Sequence, residues 1–257
     1  MVAMDEASSS DSGGARESFS SSEGSADEAA WSADVDEAHR ALGLEALVWR
    51  GIPRARRRRE WVRLSGALDL ARSDGCVDEG GDGGRGEPRL LPPPLLRRDV
   101  DAATAERRLV SAVSPAARAD VECDVPRSGE RRPRRAPLRR VLLAYAARSQ
   151  RVGYCQGLDV VAASILREVG GDEAYAFWLL AALVERRCEG WWDANLVRLR
   201  RDVGRVTAAR HAKVAALVER DVPLDLILVQ WLLSLFGHVG NDYTARSVRA
   251  RTLDVAL

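Results

Sequence analysis

Lysine is almost missing from this chain of 257 residues: Lys213 stands alone among 39 basic residues, and isoleucine occurs only at 52, 165 and 227. Such a skew, with Ala, Arg, Gly and Val in abundance, is the signature of coding bias, so arginine richness by itself is weak evidence for a nucleic-acid partner. Aromatics are sparse at 5%, yet 46% hydrophobic and 30% charged residues exclude wholesale disorder and allow one fair-sized core. Cysteine is scarce as well. Cys76, Cys123, Cys155 and Cys188 are far apart, with no CxxC and no paired histidine spacing, which points to neither a zinc site nor a disulfide framework and fits a reduced, cytosolic setting. No basic, apolar leader opens the chain. The best apolar run, Val222 to Val239, contains Asp225, Gln230 and His238 and is too short and polar to span a bilayer. GxSxG, HExxH and GxxxxGK[ST] are all missing, and His39, His211 and His238 are the only histidines, so self-contained chemistry, a metal and a cofactor are not expected.

The residues that are present divide unevenly. Residues 1–40 hold ten carboxylates against Arg16 and Arg40, a net −8 that leaves +9 for the remainder. The stretch to about residue 32 mixes Ser, Gly, Asp and Glu with few aliphatics and reads as disordered, giving an acidic tail over 1–43 and a folded body over 44–257. Helical signals begin at Asp34 and stop at Gly51 and Pro53. Arg54 to Leu64 is a basic helix carrying Trp61 and closed by Gly66. Residues 73–88 read as a Gly/Asp loop, Leu95 to about Val113 as helix, and 114–137, with four prolines and no periodicity, as loop.

From Leu138 the pattern sharpens. Leu138, Val141, Leu142 and Tyr145 share one helical face, and Leu158, Val161, Ala162, Ile165, Leu166 and Val169 share the next. Between them lies the turn Val152-Gly153-Tyr154-Cys155-Gln156-Gly157. Glu173 to Glu185, Val206 to Arg220 and Leu224 to Phe236 supply further helices, the last apolar nearly all round. No run of alternating β-branched residues occurs, so the body is expected to be all-α.

Four stretches in order carry a family resemblance: Gly51-Ile52-Pro53 with Arg57, Trp61 and Gly66; Leu138 to Tyr145 running into the Gln156 turn; Ala176-Phe177-Trp178; and Gln230 to Phe236. Over roughly residues 44–257 the chain resembles the TBC domain, the all-helical domain of GTPase-activating proteins for Rab-type small GTPases. The resemblance implies a device that works in trans on GTP and Mg bound to the partner, rather than an enzyme with its own substrate. GTP hydrolysis needs an oriented water and positive charge on the developing phosphoryl oxygens. TBC domains supply an arginine from IxxDxxR and a glutamine from YxQG. Gln156 falls on that glutamine, with Tyr154 and Gly157 as supporting members of the motif.

The arginine motif is sought at Leu96-Arg97-Arg98-Asp99-Val100-Asp101-Ala102. Leu96 and Asp99 fit, but Ala102 stands where arginine belongs, and neither Asp101 nor Glu106 has an arginine three residues on. Arg98 lies four residues before Ala102, hence one turn away on the same helical face, and is the candidate substitute. The runner-up function comes from Ala102: a TBC-like module that binds a small GTPase as effector or scaffold without accelerating it.

Other departures from the family pattern are Glu60 before Trp61, Ser149 before the turn, Leu158-Asp159 after it, and Thr252-Leu253-Asp254 where a Trp-Asp pair is usual. The family domain continues beyond the position of Leu257, so truncated closing helices and poor stability are expected. An Arg-rich nucleic-acid binder using Arg54–Arg59 and Arg131–Arg140 lacks a platform of interleaved aromatics. No nucleic acid and no membrane span are therefore expected. Localisation should be cytoplasmic, with membrane contact only through the GTPase.

Overall fold

The computed structural model describes residues 48, 51–80, 88–208, 224–237 and 250–257. The acidic tail, the helix expected from Asp34, and all three histidines lie outside the described residues, apart from helical Val48. The first segments are α1 (Arg54–Ser65), α2 (Ala67–Ser73), and a two-residue antiparallel pair of β1 (Val77–Asp78) with β2 (Arg89–Leu90), Val77 opposite Leu90. A 3₁₀ turn (Pro94–Leu96) leads to α3 (Ala102–Ser111) and α4 (Pro115–Asp124), and a second one (Val125–Arg127) to α5 (Arg132–Arg148). Next come α6 (Leu158–Glu168), α7 (Glu173–Ala182) running into a π turn (Leu183–Arg187), α8 (Val197–Ala208) and α9 (Leu224–Leu233); residues 250–256 are again helical. The body is all-α as expected, apart from a short β pair whose first strand falls inside the stretch 73–88 read as a Gly/Asp loop and whose second follows directly after it.

Helix α7 is the buried centre. Ala174 and every residue from Ala176 to Ala182 are buried, and α1, α2, α5 and α6 pack around it. Asp172 starts this helix by accepting from the amides of Ala174 and Tyr175 at 3.1 and 3.3 Å. Trp178 lies edge-on to Phe177, and its indole N–H donates to Leu91 O at 2.8 Å, fastening the β2 end to the core. A satellite cluster of Leu199, Val203 and Leu228 joins α8 to α9.

The departures Glu60 and Asp254 are both buried polar groups with partners. Glu60 is met by Arg63 at 3.1 Å. Asp254 accepts from Ile52 N (3.0 Å), Trp61 Nε1 (2.9 Å) and Arg57 Nε (3.1 Å), while Arg57 also reaches Glu168 at 2.9 Å. Burial pushes the Asp254 carboxyl above its ordinary value against the downward pull of Arg57. Arg57 and Arg58, part of the basic run over Arg54–Arg59, are thus held in internal ion pairs, and Arg58 also stacks 3.7 Å over the Tyr175 ring.

Several expected spans are corrected. Leu95 to Val113 is not one helix, because the chain is non-helical from Arg97 to Asp101, and Asp101 caps α3 through the amides of Ala103 and Thr104. Residues 114–137 are not loop: the prolines at 115, 126 and 133 stand in first turns, where a missing N–H costs nothing. Pro137 is accommodated within α5, which begins six residues before Leu138. Helix α8 starts at Val197 rather than Val206, and residues 209–223 lie outside the described residues. Helix α9 stops at Leu233 and is not wholly enclosed, since Leu226 is 65% exposed.

Candidate functional site

The glutamine turn begins where α5 ends. Ser149 caps that end, accepting from Val152 N through its hydroxyl (3.4 Å) and from Gly153 N through its carbonyl (2.6 Å). Gly157 then opens α6 with φ +100°, and its amide donates to Asp159 Oδ1 at 3.2 Å. A Cβ on Gly157 would stand 2.7 Å from Leu233 O, a carbonyl already held by Trp192 Nε1 at 3.1 Å, so only glycine fits against the end of α9. Gly153 also has a positive φ, +58°, but the space around it is open.

On this support Gln156 is exposed, and its side chain makes no hydrogen bond among the described residues. A residue serving only the backbone of its own turn would be bonded to it. Cys155 beside it is half-buried, and burial pushes its thiol up to about 11, so it is neutral near pH 7. Tyr154 turns the other way. Its hydroxyl donates to Asp124 Oδ2 at 2.8 Å, and its pKa is pushed far up by burial, then by the Asp159 and Asp124 carboxylates, which keeps it a donor.

Asp124 is the last residue of α4, in a segment read from sequence as loop. Three residues on stands Arg127, at the end of the 3₁₀ turn, exposed and without a hydrogen bond or ion pair among the described residues. Three residues before it is Val121, fully buried. Val121-Glu122-Cys123-Asp124-Val125-Pro126-Arg127 therefore reproduces the IxxDxxR spacing with the arginine in place, and its aspartate is bonded to the tyrosine of the glutamine turn. Sequence reasoning misses this segment because its prolines look like breakers; the spacing itself is the signal that could find it.

The Leu96–Ala102 stretch has a different setting. Asp99 is exposed and pairs with Arg108 of the adjacent helix at 3.3 Å. Arg98 is not helical and does not share a helical face with Ala102. Its guanidinium is tied to Glu173 Oε1 at 2.9 Å, a carboxylate that Arg140 also grips at 2.6 Å. A cleft of about 430 Å³ lies here, lined by Leu96, Arg98, Val100, Ala102 and Arg140 among others, and no residue of the glutamine turn borders it. Arg98, Asp99 and Ala102 are thus brought together with one another and not with Gln156, Tyr154 and Gly157.

Helices gathered around a buried central helix, with a Tyr-Cys-Gln-Gly turn opening onto the surface, define the TBC class of regulatory domain. The Rab-GTPase-TBC domain model matches residues 103–246, more than half of the chain, and the chain belongs to that family. It is 29% identical over 207 residues to human growth hormone-regulated TBC protein 1, covering 77% of this chain and 54% of that protein. It is likewise 29% identical over 208 residues to small G protein signaling modulator 3 of Bos taurus, covering 78% of this chain and 25% of the relative. The chain thus spans about half the length of one relative and a quarter of the other. Its fold matches the crystal structure of the Chlamydomonas flagellar RabGAP TBC domain with a TM-score of 0.60 at 19% identity, over 91% of this chain and 77% of that one. No helix among the described residues is long and apolar enough to cross a membrane.

Proposed function

We propose that this domain is a GTPase-activating protein for a Rab-type small GTPase, acting in trans on the partner's GTP and Mg through two fingers, Arg127 and Gln156. The observation that carries this reading is the hydrogen bond from Tyr154 to Asp124, which joins the glutamine turn to a segment of IxxDxxR spacing with Val121 in the isoleucine position and Arg127 in the arginine position. Both finger side chains are exposed and make no hydrogen bond or ion pair among the described residues, as suits groups that must reach into a partner. Gln156 would orient the attacking water. Arg127 would place positive charge on the phosphoryl oxygens, a contribution worth about 10³ to 10⁵ in rate. On this reading Arg98 is not the finger: it pairs with Glu173 beside Arg140, on a cleft that no residue of the glutamine turn borders.

The binding-only reading rested on Ala102, and with Arg127 in the motif position that support is gone. The chain itself keeps no substrate; peripheral membrane localisation would come through the GTPase. The test is a panel of GTP-loaded small GTPases assayed with the full chain for binding and for phosphate release. Accelerated release from at least one member, lost with Gln156→Ala while binding persists, is the expected result. Binding without acceleration anywhere on the panel would leave a scaffold.

A further inference from the structure

The segment just after Arg127 is anchored by a buried charge. Ser128 is buried, and its hydroxyl donates to Val125 O at 2.8 Å; Gly129 turns the chain with φ +75°. Glu130 then points inward. Only 3% of its side chain is exposed, and its Oε1 accepts from Arg167 Nη2, itself 20% exposed. Its backbone carbonyl meanwhile accepts from Arg135 Nε at 3.0 Å, binding the loop to the start of α5.

Arg167 lies in the last turn of α6, the helix that the glutamine turn opens, and a cation is favourable at that end of a helix. The arginine-bearing loop is therefore fastened on both sides of Arg127. Three residues before it, Asp124 is held by Tyr154; three residues after it, Glu130 is held by Arg167. Both ties lead to α6 or to the turn that starts it. That helix, 11 residues and about 16 Å long, acts as a bar from which both fingers take their position.

We propose that Glu130 and Arg167 form a positioning pair that sets where Arg127 stands relative to Gln156. This rests on the assignment of Arg127 as the arginine finger. A partly buried ion pair is a poor source of net stability, since desolvating the charges offsets their attraction. It fixes geometry well, because separating the partners strands a charge in the interior. Loss of the Glu130 charge frees the loop from 128 to 131 on one side, and Arg127 then samples orientations that miss the phosphoryl group. Misplacement on the ångström scale costs about ten- to a hundredfold in rate without any loss of binding contacts.

The experiment is a double-mutant cycle on the full chain with a responsive GTPase, reading kcat and KM of stimulated phosphate release together with thermal melting. Glu130→Gln should lower kcat by about ten- to a hundredfold with KM nearly unchanged. In an Arg127→Ala background the same change should cost less than about twofold, because no finger remains to be misplaced. Arg167→Lys should retain more of the rate than Arg167→Gln. An equal loss in both backgrounds, a KM effect alone, or an unaltered rate would overturn the positioning role. If Arg127→Ala itself leaves kcat intact, the finger assignment fails and this proposal falls with it, whereas a large Arg127→Ala effect with additive Glu130→Gln removes the proposal alone. Should Glu130→Gln not fold, Arg167→Lys is read against the same cycle and the same outcomes.

Discussion

Two stretches of this chain share a spacing, a buried apolar first residue and a central aspartate, and differ in what that aspartate meets and what stands third. Leu96, Asp99 and Ala102 stand three apart, as do Val121, Asp124 and Arg127. In the first, the aspartate pairs with Arg108 nine residues on in an exposed surface contact, and the third position carries a methyl group at the start of a helix. In the second, the aspartate reaches Tyr154 thirty residues on, and the third position is an exposed guanidinium without an ion pair among the described residues. Spacing selects candidates, but the partner of the middle residue decides between them. A carboxylate that bonds into the glutamine turn constrains the geometry of both motifs, while one that bonds to its neighbouring helix constrains only itself.

The contrast is most exposed to failure at Arg127. Arg127→Ala should reduce stimulated GTP hydrolysis by about 10³ or more with GTPase binding retained, and adding Gln156→Ala should cost less than the product of the two single effects. Phosphate-release kinetics measure both; a loss under tenfold would return the finger to some other residue. Next in size is the wall behind the glutamine turn. Gly157→Ala puts a Cβ at φ +100° against Leu233 O, a strain of about 2–3 kcal/mol, and a melting curve should fall by several degrees. Smaller is the tie between the motifs: Tyr154→Phe or Asp124→Asn should lower kcat by about tenfold, the worth of one hydrogen bond to a charged group, while Asp99→Asn leaves the rate unchanged. The smallest effects belong to the other stretch. Ala102→Arg and Arg98→Ala should each stay within about twofold of the parent, and a gain of tenfold or more from Ala102→Arg would reverse the ranking of the two stretches.

Much of the fold can be read from residues alone, and the reasons differ by region. Helices α5, α6 and α7 announce themselves because their apolar residues recur at helical spacing and glycines or Asp172 mark their ends. Gln156 is legible because its turn is continuous in sequence. The segment proposed to carry the arginine finger is not. Pro115, Pro126 and Pro133 scatter its composition and hide three helix starts, the positions where proline is preferred. Arg98 misleads for a related reason, since the supposed helix around it is broken between Arg97 and Asp101, and the side chain is drawn to Glu173, a partner 75 residues on that no local pattern could indicate. The burial of Glu130 is similarly invisible, because a Gly-Glu-Arg-Arg run has the look of solvated loop until Arg167 is brought to it.

The carboxylate of Asp254 sets a clock on folding. Its three donors, from Ile52, Arg57 and Trp61, lie 202, 197 and 193 residues earlier, so contacts at the front of the domain close only when some two hundred further residues are available. Closing a loop of that length costs about 4–5 kcal/mol of chain entropy, and such distant pairings slow the search for the native state. On a ribosome adding about 5–20 residues per second, the indole and guanidinium of the first helix wait roughly 10–40 s for their acceptor. During that interval the Trp61 N–H and the Arg57 guanidinium lack the Asp254 carboxylate, and Leu253 and Leu257, which belong to the same buried cluster as Ile52 and Trp61, are not yet in place.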